Sequence, residues 1–121
     1  MRKPPLYKSF LNALRGIGYM VKHERNFKIE LAALAINIVL IFFLTVSPAD
    51  AAVLLLICSA VLSAELMNTV VEKLCDFIHP EFHVKIGLIK DISAGAVMLL
   101  ALTALSIALI IYPKYLCEYF I

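Results

Sequence analysis

Five polar side chains fall at helical spacing late in the longest apolar stretch of the chain: Glu65, Asn68, Thr69, Glu72 and Asp76. At 100° per residue, with Glu65 as zero, Asn68 falls at about −60°, Glu72 at about −20°, Asp76 at about +20° and Thr69 at about +40°. All five share one face over three turns. Ionisable groups in or beside a membrane span cost several kcal/mol, on the order of the insertion scales, unless they are satisfied. Carboxylates at a membrane edge suit a hard cation such as Mg²⁺, which needs one or two of them when phosphates supply other ligands. A further carboxylate serves as base toward a hydroxyl. Lys90 and Asp91 follow a polar loop, and a lysine there meets a phosphate as a point charge. Metal, cationic clamp and base are the parts of phosphoryl transfer.

Neither Gly-x-x-x-x-Gly-Lys-Ser/Thr nor Gly-x-Gly-x-x-Gly occurs, so the familiar soluble nucleotide-binding motifs do not explain the chain. The simpler reading of the stripe is an interhelix polar network without chemistry. A proton or ion carrier would spread its acids over the full membrane depth, whereas these cluster in one half. His79 and His83 stand four apart, but Pro80 between them argues against a helical zinc pair. Cys58, Cys75 and Cys117 match no zinc or redox spacing and read as small apolar side chains.

The elements that must position the stripe follow from composition. The chain has 121 residues, 63% of them hydrophobic, with a mean hydropathy of +0.94. Soluble domains sit nearer half apolar, so the bilayer is the solvent for the excess. The expected fold is all-α: an amphipathic surface helix over residues 6–22 and transmembrane helices over 29–46, 51–77 and 90–112. In the first, Leu6, Phe10, Leu14 and Ile17 make an apolar face, while Lys8, Arg15 and Lys22 lie elsewhere. The segment 29–46 covers about 27 Å at 1.5 Å per residue, close to the hydrocarbon thickness. Pro113 marks the expected end of the last span. The apolar run starts too late for a cleavable signal peptide.

Seven of the eleven Lys and Arg precede the first span, and none lies between Lys28 and Lys73. By the positive-inside rule the N-terminus and the 78–90 loop are cytoplasmic, and the turn at 47–50 faces outward. No nucleic-acid partner is expected. Asn37 is expected to hydrogen-bond another helix, and Tyr112, Tyr115, Tyr119 and Phe120 to form an interfacial belt.

Three segments resemble one family. Glu65-Leu66-Met67-Asn68-Thr69, then Glu72 and Asp76, resembles the Glu-Leu/Ile-x-Asn-Ser/Thr-x-x-Glu-x-x-x-Asp signature of the prokaryotic diacylglycerol kinases, which include the undecaprenol kinases. Glu81-Phe82-His83 with Gly87, Lys90 and Asp91 is similar to its second segment, and Glu24-Arg25-Asn26-Phe27-Lys28 to the stretch entering its first span. The resemblance spans residues 8–112. It implies a homotrimeric lipid kinase of the bacterial inner membrane, with ATP and Mg²⁺ acting on a lipid hydroxyl and active sites shared between subunits.

By the same resemblance Glu65 is the general base, and Glu24 and Glu72 hold the metal. Glu24, Glu72, Asp76, Glu81, Phe82, His83, Lys90 and Asp91 contact the nucleotide; Glu30, Glu65, Asn68 and Ala94 lie at the lipid. Asn12 and Pro5 depart from the family's surface helix, where a Tyr and an Arg often stand. Glu30 is shared with the diacylglycerol kinases, but Glu24-Arg25-Asn26 and Leu66-Met67-Asn68-Thr69 are closer to the undecaprenol form, so undecaprenol is the favoured acceptor. A non-enzymatic membrane subunit is the alternative; it leaves Lys90, Asp91 and the Glu-Phe-His loop unexplained.

Overall fold

The computed structural model describes residues 2–121 and consists of four helices: α1 (Leu6–His23), α2 (Arg25–Phe43), α3 (Pro48–Ile78) and α4 (Val84–Phe120). No strand occurs among the described residues. Helices α2, α3 and α4 are each long and apolar enough to cross a membrane. The chain is therefore a multi-pass membrane protein.

The middle span, α3, packs against α2 on one side and α4 on the other, and α1 leans on the start of α2. Leu54, Ile57, Val61 and Cys75 of α3 are buried with Met20, Phe27, Leu44 and Ile111. Most other large apolar side chains, among them Ile36, Val39, Phe42, Leu56, Leu99 and Ile110, point outward. In a bilayer that outward apolar surface is solvated by lipid tails.

The helix ends follow from local chemistry. Glu24 has extended backbone, φ −107° and ψ 112°, and closes α1 while opening α2. Its N–H donates to Met20 O at 3.0 Å, and its carbonyl accepts from Lys28 N at 3.2 Å. One residue thus makes the elbow between surface helix and span. The helix of the first span therefore begins at Arg25 rather than at 29, because the elbow at Glu24 starts it one turn before the apolar run. It ends at Phe43 rather than at 46, because Thr45 takes φ 50° and turns the chain. Ser47 then caps α3, its Oγ accepting from Asp50 N at 3.3 Å, with Pro48 at the first helical position.

The expectation that Pro113 ends the last span is corrected: α4 starts at Val84, under a His83 cap, and runs through Pro113 to Phe120. Proline removes one helical bond, to the carbonyl four residues back. Contacts beyond it hold the helix in line. The Tyr115 hydroxyl accepts from Ser47 N at 3.1 Å and donates to Asp50 Oδ2 at 2.6 Å, and Lys114 Nζ reaches the same oxygen at 2.7 Å. The Tyr119 ring lies 5.0 Å from that of Phe43. The expected helix–helix bond of Asn37 is made with Tyr112, whose hydroxyl donates to Asn37 Oδ1 at 2.5 Å.

With 31 and 37 residues, α3 and α4 are about 46 and 55 Å long. Both outrun a hydrocarbon core of about 30 Å. Each therefore carries more residues than a single crossing needs.

Candidate active site

The α3 stripe faces inward. Glu65, Asn68 and Thr69 are 4%, 7% and 4% exposed, and are the buried polar side chains among the described residues. The bundle is thus apolar on its outside and polar at one place within. The Glu65 carboxylate has the side-chain amides of Asn68, from its own helix, and Asn26, from α2, beside it. Glu24 at the elbow and Glu72 two turns along α3 both lie within electrostatic reach of it. Glu30, one turn beyond Asn26 on α2, also faces Glu65, and its buried Oε2 has no hydrogen-bond partner. Asn68 donates from Nδ2 to Glu72 Oε1 at 3.3 Å, while its buried Oδ1 is unpartnered.

Three carboxylates therefore lie within electrostatic reach of Glu65: Glu24 and Glu30 from the first span and its elbow, and Glu72 from α3. No lysine or arginine pairs with any of them among the described residues; the ion pairs join Lys90 to Asp76 and Lys114 to Asp50. Close carboxylates without a cation repel one another, and a hard cation or a shared proton removes that cost. No three His, Cys, Asp or Glu side chains are arranged as a complete metal centre among the described residues. The donor set fits Mg²⁺, which takes one or two carboxylates and fills the rest of its shell with phosphate oxygens and water.

A second recess lies at the turn between α3 and α4. Asp76, His79, Pro80, Glu81, Phe82, His83, Ile86, Gly87 and Lys90 line a cleft of about 360 Å³. The Phe82 ring lies over Gly87, where an added methyl would sit 3.9 Å from its edge. His79 Nδ1 lies 2.9 Å from Glu81 O, and His83 Nδ1 accepts from Lys85 N at 3.1 Å, so both imidazoles brace the turn. Lys90 does not stand free for a phosphate: its Nζ is 2.6 Å from Asp76 Oδ1. Asp76 is thereby tied to α4 rather than to Glu65, and Glu72 lies between the two recesses. Asp91 and Ala94 are exposed on α4 and line neither recess.

Asn26 belongs to a segment that the sequence singles out, but sequence reasoning gave it no place at the site. Its signal was its place four residues before Glu30, which puts both on one face of α2.

The profile of the prokaryotic diacylglycerol kinase family matches residues 11–112. The chain belongs to that family. It is 34% identical over 109 residues to the undecaprenol kinase of Bacillus subtilis (strain 168), the match covering 89% of each chain. It is 33% identical over 102 residues to the diacylglycerol kinase of Synechocystis sp. (strain ATCC 27184 / PCC 6803 / Kazusa), covering 84% of this chain and 58% of that one. A member of the prokaryotic diacylglycerol kinase family with three spanning helices is a membrane lipid kinase, with ATP as co-substrate. Membership sets aside the alternative of a non-enzymatic subunit.

Proposed function

We propose that the chain transfers the γ-phosphate of Mg-ATP to the hydroxyl of undecaprenol, at the cytoplasmic face of a bacterial inner membrane. The observation that carries the reading is the buried Glu65 carboxylate, set among Asn26, Asn68, Glu24, Glu30 and Glu72 about 10 Å deeper along α3 than Glu72. The acceptor hydroxyl enters from the bilayer and the nucleotide from the water, so a base belongs at the deeper level and the metal ligands at the edge.

In this reading Glu65 accepts the proton of the lipid hydroxyl as that oxygen bonds to the γ-phosphorus. The bond from γ-phosphorus to the bridging oxygen breaks, and ADP leaves with the electron pair. Asn68 and Asn26 hold the Glu65 carboxylate, and Asn68 fixes Glu72 as well. Glu30 and Ala94 border the lipid. Glu24 and Glu72 would hold Mg²⁺, which, when bound, neutralises charge on the phosphates. Asp76, Glu81, Phe82, His83, Lys90 and Asp91 take the nucleotide, in and around the cleft at the 79–83 turn. Lys90 exchanges its Asp76 partner for a phosphate oxygen.

Undecaprenol is favoured over diacylglycerol because the undecaprenol kinase relative matches this chain over 89% of both lengths, whereas the diacylglycerol kinase relative has long stretches outside the match. The basic N-terminal segment and the loop before Lys90 belong on the cytoplasmic side by the positive-inside rule. The exposed apolar faces of the bundle suit a homotrimer in which Asp91 and Ala94 of one subunit complete a neighbour's site. Purified protein in detergent, given γ-labelled ATP and Mg²⁺ with undecaprenol and diacylglycerol side by side, tests the reading. Label is expected in undecaprenyl phosphate; preferential label in phosphatidic acid overturns the choice of acceptor.

A further inference from the structure

A separate cavity lies under the surface helix, on the flank of α3 away from Glu30. It has a volume of about 470 Å³ and is lined by Gly16, Tyr19 and Met20 of α1 and by Leu66, Thr69, Val70 and Lys73 of α3. Its walls are apolar apart from three groups. The Thr69 hydroxyl is buried and has no hydrogen-bond partner, not even the carbonyl one turn back that a helical threonine commonly uses. Lys73 stands one turn further along the same face, about 6 Å away between Cβ atoms. Among the described residues its ammonium forms no ion pair; it sits over the Tyr19 ring, 5.0 Å from the centroid, with Glu24 and Asp76 within electrostatic reach. Tyr19 is held in turn against His23, with ring centroids 4.5 Å apart.

The geometry points to a binding site for the phosphate of an anionic membrane phospholipid, distinct from the phosphoryl-transfer site, in which Lys73 and Thr69 hold the phosphate and Met20, Leu66 and Val70 take the first carbons of a chain.

Three observations meet in that assignment. A buried hydroxyl left without a partner costs free energy on the order of a lost hydrogen bond, so the pocket lacks a polar group at Thr69. An ammonium and a hydroxyl one helical turn apart match the span of a phosphate group and offer it a charge-assisted and a neutral hydrogen bond. The roof of the pocket is a helix carrying Lys8, Arg15 and Lys22, which favours an anionic headgroup over a zwitterionic one. The depth also fits: Thr69 lies at the edge of the hydrocarbon and Lys73 one turn into the headgroup layer. A lipid seated there would tie α1 to α3, because Tyr19 and Met20 come from one helix and Thr69 and Lys73 from the other.

The test uses the full chain in nanodiscs of phosphatidylcholine containing a minor fraction of phosphatidylglycerol, with the lipid retained after extraction into mild detergent identified by mass spectrometry. Wild type is expected to retain phosphatidylglycerol over phosphatidylcholine. Lys73→Gln should weaken that retention about tenfold and Thr69→Val about fivefold, while Lys73→Arg and Thr69→Ser keep it. Glycerol 3-phosphate at millimolar concentration should not compete, since it lacks the chain that the apolar walls hold. Equal retention of the two lipids overturns the proposal, as does loss in all four variants alike, which would mark a folding defect. Competition by glycerol 3-phosphate would reassign the site to a soluble phosphate. A disulfide between two copies carrying Val70→Cys would show that a second chain covers the pocket, and would also overturn it. The readout is lipid binding and is independent of phosphorylation, so it stands whichever lipid the kinase phosphorylates.

Discussion

Asn68 donates to the Glu72 carboxylate at 3.3 Å and at the same time lies beside the Glu65 carboxylate, so one amide spans the two depths of the site. An amide of this kind holds its neighbours' orientation without adding charge to a cluster that already has four carboxylates. Replacing Asn68 by Asp would put a fifth carboxylate there. Asn68→Asp is expected to lower turnover at least as much as Asn68→Ala, which removes the donor but not the neutrality. Steady-state kcat for the two variants checks this; full activity of Asn68→Asp would show that the amide has no positioning role.

Glu65→Gln keeps the shape and the burial and removes the proton acceptor. Turnover is expected to fall by about 10²–10⁴-fold, the range for general base removal. ATP binding should stay near normal, because the cleft proposed for the nucleotide is lined by other residues. Equilibrium binding of a labelled nucleotide alongside the rate measurement separates the two effects. Near-normal turnover would exclude Glu65 as the base.

Glu72→Gln acts at the edge of the site. It leaves the acceptor side intact and removes one of the two carboxylates proposed to hold Mg²⁺. Half-saturating Mg²⁺ should rise severalfold, while KM for undecaprenol changes little. A Mg²⁺ titration at saturating lipid shows which: an unchanged midpoint would remove Glu72 from the metal shell.

The Lys90–Asp76 pair links the end of α3 to the start of α4, across the turn that carries Glu81, Phe82 and His83. Both side chains are partly exposed, so the pair adds little stability. Its expected effect is on ATP. Lys90→Ala should raise KM for ATP more than Asp76→Asn does, because in the proposed exchange of partners Lys90 is the one that gains a phosphate oxygen. The double variant should resemble Lys90→Ala rather than sum the two. Additive losses would mean that each residue contacts the nucleotide independently.

Much of this layout was legible in the sequence because a helix has one period. Glu65, Asn68, Thr69 and Glu72 needed no tertiary contact to be placed on one face, and the burial of the first three follows from the cost of leaving them in lipid. The partners were harder. Asn26 and Glu30 reach Glu65 only because α2 packs antiparallel to α3 at a register set by the turn at Thr45 and Ser47. The Lys90–Asp76 pair depends on how tightly the 79–83 turn closes, which His79 and His83 decide through bonds to the backbone. Pro113 was misleading because a proline near a helix end is outweighed when Lys114 and Tyr115 are anchored to Asp50 and Ser47.

Within the bundle the hydrogen bond from Tyr112 to Asn37 joins α4 to α2, in addition to the contact between the Tyr119 and Phe43 rings. Asn37 Nδ2 is already satisfied by Ala33 O at 2.8 Å, so the tyrosine supplies the partner for its carbonyl oxygen. Tyr112→Phe removes that hydroxyl and little else. Interhelical hydrogen bonds in membranes average about 0.6 kcal/mol, and the loss is expected near that value. Asn37→Leu removes the polar group along with its partner's need, so the double variant should be no less stable than Tyr112→Phe alone. Unfolding in mixed micelles by a denaturing detergent measures all three. No measurable loss for Tyr112→Phe would mean that the ring's packing, which phenylalanine keeps, rather than the bond to Asn37, holds α4 to α2.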